Sequence, residues 1–272
     1  MSLARQPTAV STVNSRKDRS SGANSSGKNS RGEKPRGEKS RGEEVAVILR
    51  NEILSGQYRA GERLPSERDL VTRFSTSRGV VREAFKMLEQ LGVVSIQPGG
   101  ARAVAVEECT LDVLGPLLDL EAIPNPKLVD QVLQIMGVLM GVAARAAVEK
   151  ASDAELAQAI EHAENVMAYA DDKARLQQAF QNFIRCLINV ADHLVLRLII
   201  NGLRMTFMNR MLESGIYPDV DPKPIKRIAT ELVRTLKRRD AEGVGAAMLK
   251  LNKLFRDQTT TALQAAALRQ EK

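Results

Sequence analysis

The sequence predicts a mostly α-helical protein: an N-terminal winged helix-turn-helix followed by an antiparallel bundle of about six helices. Three observations predict it. Aromatic residues make up 3% of the 272, with no Trp, so the core must be aliphatic, which favours packed helices over a β-sandwich. Apolar residues recur at helical spacing through most of the chain beyond residue 43. Between residues 43 and 107, three short helical segments precede two β-prone runs separated by Pro98-Gly99-Gly100.

Residues 1–42 consist mainly of Ser, Gly, Asn, Lys and Arg, with the short motif Arg-Gly-Glu recurring at Arg31, Arg36 and Arg41. Such a segment cannot bury enough apolar surface to offset its ordering entropy, so it is expected to be a disordered basic tail. Order is expected from residue 43. Val45, Ile48, Leu49 and Ile53 share a helical face, and Gly56 suits the position just past the helix end. Residues 59–65 read as a loop. Ser66 is a natural cap for a second helix carrying Leu70 and Phe74, with Glu67 and Asp69 near its positive dipole end.

Ser77 caps the third helix, whose buried stripe is Val81, Ala84, Phe85 and Leu88. At 100° per residue, Arg78, Arg82 and Lys86 form a second, basic stripe. Gly92 ends this helix. Residues 93–97 and 102–106 read as the strands of a hairpin.

Residues 108–124 read as a connector broken by Pro116, and residues 125–272 as the helical bundle. Asn125-Pro126 forms a cap followed by an N1 proline, opening a helix over 126–149. Ser152 to Glu155 is a capping box for the next. Further helices are expected over 172–190, 194–212, 224–239 and 241–268.

The net charge of +7 is unevenly placed. Lys and Arg number ten against five Asp and Glu through Glu44, nine against six from Val45 to Val106, and 21 against 22 thereafter. A basic front on a neutral back suggests a polyanion binder joined to something else. Two Cys, Cys109 and Cys186, exclude a disulfide scaffold and fit a reducing compartment. No secretory leader is visible, and the longest uncharged apolar stretch, residues 131–144, falls short of the ~20 residues needed to cross a bilayer. A cytoplasmic protein without a membrane partner is expected. No nucleophile elbow, zinc-protease motif, P-loop or dinucleotide fingerprint is present, so an enzyme is not expected. The basic tail leaves an architectural DNA-binding protein, with a bundle serving only dimerisation, as the alternative reading.

Residues 56–70, GQYRAGERLPSERDL, are similar to the opening signature of GntR-type transcriptional regulators. Residues 77–85, SRGVVREAF, resemble their recognition helix, and Ile96 to Gly100 their wing. The resemblance implies operator binding through Arg68, Arg78 and Arg82, with Ser77 and Lys86 on the same helix and Gly99, Gly100 and Arg102 on the wing. The chemistry suits this: an arginine fork matches a phosphate or the O6/N7 edge of guanine. Pro98 stands where a polar wing residue would contact a base, so Arg102 is expected to substitute. A dimer on a pseudo-palindromic double-stranded operator follows, since one head reads too few base pairs.

The C-terminal half resembles the effector-binding and dimerisation domain of the FadR-like branch. Most members of that branch hold a divalent metal with one Asp and three His. Here the matching positions are Phe180, Ile184, Ala229 and Leu251, all apolar. His162 and His193 lie elsewhere and are expected to be surface or capping residues. No metal or other cofactor is therefore expected, and the quartet is weighed equally as tight core or as an apolar, fatty-acyl-like effector cavity. A repressor modulated by such a small molecule is the resulting expectation.

Overall fold

The computed structural model describes residues 40–216 and 221–270. Helix α1 (Arg41–Leu54) begins at a capping box, in which the Ser40 hydroxyl accepts from the Glu43 N–H and the Glu43 carboxylate accepts from the Ser40 N–H. This corrects the end of the expected tail. Residues 40–42 belong to the helix start, and Gly42 is buried where a Cβ would meet the Glu83 side chain at 2.8 Å. Residues 1–39, with the Arg-Gly-Glu motifs at Arg31 and Arg36, lie outside the described residues. The helix ends where Gly56 takes φ +82°, its N–H donating to the Ile53 carbonyl and that of Gln57 to the Glu52 carbonyl. A β-carbon disfavours that conformation, so glycine ends the helix here.

Helices α2 (Glu67–Arg73) and α3 (Arg78–Gln90) start at Ser66 and Ser77 as the sequence predicts. Val45, Leu49 and Ile53 of α1 meet Leu70 of α2 and Val81, Phe85 and Leu88 of α3 in one core. Each aliphatic side chain so buried contributes about 1.5–3 kcal/mol.

Strand β1 (Val94–Gln97) pairs antiparallel with β2 (Gly100–Ala103), in the register Val94 to Ala103 and Gln97 to Gly100. The second strand starts two residues before the expected position 102 and ends before 106. The cause is the turn. Proline fixes φ near −65° at Pro98 and Gly99 takes φ +104°, so two residues reverse the chain. The far edge of β2 is not open either. The Gly61 and Leu64 N–H groups donate to the Ala103 and Ala101 carbonyls at 2.8 and 2.9 Å, and the Ala103 N–H donates to the Glu62 carbonyl. The segment is a loop, as expected, that joins the edge of β2 through an isolated antiparallel bridge between Arg63 and Arg102 and carries Leu64 into the same core.

After β2, 3-10 turns at Val106–Glu108 and Leu111–Val113 lead into α4 (Leu114–Leu118). Pro116 is tolerated because it lies in the first turn, where N–H groups have no helical partner. The bundle comprises α5 (Pro126–Lys150), α6 (Asp153–Ala168), α7 (Lys173–Ala191), α8 (Leu194–Ser214), α9 (Pro222–Lys237) and α10 (Ala241–Gln270). Helix α5 packs on α7 and α10, α6 on α7 and α9, and α9 on α10, which closes a ring of five helices. Helix α8 packs on α5 and reaches α4. Three close approaches set the α5–α10 contact: a Cβ on Gly137 would meet Asn252, one on Gly141 would meet Leu249, and one on Gly245 would meet Arg145.

Helix α9 starts at Pro222 rather than 224, since Asp221 caps it and both prolines fall in its first turn. Tyr217 to Val220, in the expected break, lie outside the described residues. Helix α5 is long and apolar enough to cross a bilayer by length and composition, which corrects the expectation that its apolar stretch is too short. The difference arises because apolar residues flank the uncharged run on both sides. Half of its most apolar window is buried inside the bundle, as befits a core helix.

Candidate nucleic-acid interface and effector core

Helix α3 buries Val81, Ala84, Phe85 and Leu88, and this turns Arg78, Arg82 and Lys86 outward, all exposed. The Ser77 hydroxyl accepts from the Val80 N–H at 3.4 Å and fixes the first turn. Arg82 Nε donates to both carboxylate oxygens of Glu67, at 3.0 and 3.1 Å, tying α3 to the first residue of α2. Arg68, next along α2, is exposed. Among the described residues, no carboxylate lies within 4.0 Å of the cationic groups of Arg68, Arg78 or Lys86.

On the wing, Gly99 and Gly100 take φ +104° and +124°, which only glycine adopts without strain. Arg102 is exposed, but its Nη1 donates to the Gly61 carbonyl at 2.8 Å. That bond draws the guanidinium back along the sheet, away from the turn where it is expected to replace the missing polar residue at Pro98. Arg63, in the segment that reads as a loop, is exposed and stands opposite Arg102. Its alternation with buried Leu64 is too short a period-two signal to register between Gly61 and Pro65.

Behind this surface, Arg73 makes two hydrogen bonds to the Glu52 carboxylate, one of 3.0 Å, and lies over the Phe74 ring with its Cζ 4.9 Å from the centroid. The hydrogen bond raises the Arg73 pKa, and burial beside Glu52 pushes up the Tyr58 phenol. This cluster locks α1 to α2, so the base of α3 rests on a rigid frame.

In the bundle, Ala229 and Leu251 are fully buried, while Phe180 and Ile184 are half-buried against the same core. The Phe180 and Phe255 rings lie 4.9 Å apart. One cavity within this core holds about 10 Å³ and is lined by Ala147, Leu156, Leu187 and Leu236 among others, not by the quartet. Two larger depressions, about 280 and 570 Å³, lie where α1 faces the chain around Leu120 and Glu121.

His193 Nδ1 accepts from the Leu196 N–H at 3.2 Å and so caps α8, while His162 is half-buried on α6. Burial raises the thiol pKa of Cys109 and of Cys186. Among the described residues, no group of three or more His, Cys, Asp or Glu could hold a metal ion.

The two halves meet at α4. Val113, Leu117 and Leu120 face the α1–α3 core, whereas Leu114 and Leu118 pack on Leu203, Phe207 and Met211 of α8. Arg210 of α8 donates to the carbonyls of Leu118 (2.9 Å), Ala122 (2.8 Å) and Glu121, and pairs with Asp119 at 3.3 Å. Burial lowers the Arg50 pKa on the α1 side, and Asp119 partly offsets this.

A winged helix-turn-helix with a basic exposed helix, joined through a short hinge helix to an all-helical domain, is the architecture of a DNA-binding regulator with a separate effector domain. The gntR family model of bacterial regulatory proteins matches residues 41–104, and the FCD domain model matches residues 131–253. The chain belongs to the GntR family of transcriptional regulators, with an effector-binding FCD domain in its C-terminal half. Its relatives are regulators and not enzymes. An HTH-type transcriptional regulator of Mycobacterium tuberculosis, Rv0494, is 29% identical over 65% of this chain and 73% of its own length. The galactonate operon transcriptional repressor of Escherichia coli is 30% identical over 45% of this chain, which spans about half (54%) of that relative. Among solved structures, a GntR-family transcriptional regulator from Pseudomonas syringae aligns at 20% identity over 83% of this chain and 88% of that one, with a TM-score of 0.40.

Proposed function

We propose that this regulator acts as a repressor, binding a pseudo-palindromic operator as a homodimer and reading it with α3. Residues 40–107 form the DNA-binding domain, 108–124 the connector and 125–272 the effector and dimerisation domain, in the cytoplasm. The observation that carries this reading is the exposed row Arg78, Arg82 and Lys86 on a helix whose opposite face is fully packed. Arg82, bonded to Glu67 in the free chain, exchanges that exposed pair for DNA at little cost, since such surface pairs are worth about 0–1 kcal/mol. Arg78→Ala and Arg82→Ala should each weaken operator binding by about 1–3 kcal/mol and relax specificity wherever the contact is to a base. Footprinting tests the reading directly. A discrete protected palindrome supports it, and uniform protection supports the architectural alternative.

The effector of this reading is substantially apolar, of acyl-chain type, and binds without a metal. Supporting it, Phe180, Ile184, Ala229 and Leu251 offer a cation no ligand atoms. A cavity of about 10 Å³ is far below the ~300 Å³ of an ordinary ligand site. In this reading the effector selects a bundle packed more openly around the quartet, and its differential affinity for that packing drives the change in the DNA heads. The galactonate operon name of one relative points instead to a sugar acid, so titration with both an acyl chain and a sugar acid separates the two. Zinc, nickel or manganese at near-stoichiometric levels in the purified chain would overturn the metal-free part.

A further inference from the structure

Helix α8 is apolar on two sides. Leu196, Ile200, Leu203 and Phe207 face inward and are buried. At 100° per residue, Leu194, Val195, Leu198, Ile199 and Met205 stand on the opposite side, all exposed, with Leu198 at 61%. Among the described residues, no other helix exposes as many large apolar side chains. Arg197 and Arg204, the charged residues of this span, are half-buried on its flank and leave the row uninterrupted. Gly202 lies within the row. It is exposed, and a Cβ there would meet nothing within 4 Å. Glycine inside a helix is destabilising relative to alanine, and no contact within the chain requires it at this position. Gly137, Gly141 and Gly245 differ, because a Cβ on each would strike the neighbouring helix.

We propose that this side of α8 seats a second copy of the chain, with Leu198 of each copy filling the gap at Gly202 of the other. A leucine and a glycine one turn apart on the same side are self-complementary against an antiparallel copy, whereas a parallel copy would set leucine on leucine. A two-fold axis level with Ile200 places Leu198 beside Gly202 of the mate, once in each direction, and Val195 beside the mate's Met205. The missing Cβ lets the two helix axes approach to the ~8–10 Å of close packing. A single helix pair is smaller than the ~800 Å² per partner of a stable interface. Helix α5 extends the apolar surface, since exposed Ile135, Val138 and Val142 lie on its arc between the glycines that face α10 and Val132, which shares a core with Leu203 of α8. The same helix carries Arg210, so the seam between copies and the clasp on α4 belong to one element. This seat rests on the homodimer reading above and adds to it a surface and a register.

Sedimentation equilibrium of the full chain from nanomolar to micromolar concentration tests it, on the wild type, Leu198→Glu, Gly202→Leu and the double variant Leu198→Gly/Gly202→Leu. Circular dichroism checks that each variant keeps its helices, as expected for exposed positions. Leu198→Glu should raise the dimer Kd about 100-fold or more, because each dimer loses two seated leucines worth at least about tenfold apiece. Gly202→Leu blocks the same two seats and should raise it about tenfold or more. The double variant exchanges knob and hole in both copies, so its Kd should return to within about threefold of the wild type, a coupling that independent positions do not show. Unchanged dimerisation in both single variants would overturn the seat and leave a homodimer formed through another surface. Single variants that weaken the dimer without rescue in the double variant would also overturn it, since the pairing of Leu198 with Gly202 is then wrong. A wild type that stays monomeric at micromolar concentration overturns the homodimer reading together with the seat.

Discussion

Arg210 is the residue whose removal most directly tests how the two halves are joined. Its side chain is 13% exposed and donates to three backbone carbonyls at the end of α4. Of these acceptors, Leu118 is buried, while Glu121 and Ala122 are exposed and regain water when the guanidinium is lost. Arg210→Ala therefore leaves one buried carbonyl unsatisfied, which costs about 1–3 kcal/mol. The packed methylene stem adds roughly 1 kcal/mol. The ion pair with Asp119 is discounted, because that carboxylate is 54% exposed and solvent screens it. The total is about 2–4 kcal/mol, or a fall in Tm of about 4–16 °C at roughly 2–4 °C per kcal/mol for a chain of this size. Arg210→Lys keeps the charge but cannot span three carbonyls, so it should recover only a part. Exposed Arg185→Ala serves as the control, within ~0.5 kcal/mol of wild type. Calorimetry and urea denaturation of the full chain measure all three. A loss below 0.5 kcal/mol in Arg210→Ala would falsify the view that this side chain holds the hinge.

Deleting residues 1–39 should leave stability unchanged and reduce non-specific DNA affinity, whereas deleting 1–42 removes the Ser40 cap and the Arg41 bond to the Phe74 carbonyl and should cost about 1–3 kcal/mol. Equal stabilities in urea would show that the cap is unimportant. Leu251→Ala should cost about 2–5 kcal/mol, the penalty of a cavity in tight core. A cost under 1 kcal/mol would mean that the position already borders open space. Hydrogen bonds from Ser66 and Ser152 hold the Asp69 and Glu155 carboxyls below their usual range. Because the folded pKa is the lower one, their stabilisation is present above about pH 4 and is lost as pH falls through the folded value. Ser152→Ala should therefore flatten the acid limb of the stability curve, read by denaturation midpoints from pH 2 to 6.

Much of this protein is legible in one dimension because its signals are local. A serine before each of α2, α3 and α6, glycines just past α1 and α3, and a Pro-Gly turn fix backbone conformation over three to five residues whatever lies elsewhere. The basic stripe of α3 follows from 3.6-residue periodicity alone. The segment from Gly61 to Leu64 has no such local signal. It bridges to β2 only because the edge of that strand offers unpaired backbone groups to it, and this pairing places Arg63 opposite Arg102 and brings the Arg102 guanidinium to the Gly61 carbonyl. The quartet Phe180, Ile184, Ala229 and Leu251 reads as apolar in sequence, yet whether apolar residues enclose space or fill it depends on how five helices close their ring. Arg210 lies near the end of α8 and its acceptors lie about ninety positions earlier. The sequence determined the six long bundle helices and the three of the DNA-binding domain, the starts of α2, α3, α5 and α6, and which face of α3 is basic, since those depend on neighbours along the chain. Tertiary structure alone decided which arginines stand together, which carbonyls they satisfy and how little empty volume the bundle keeps, because those depend on groups that only folding brings within reach.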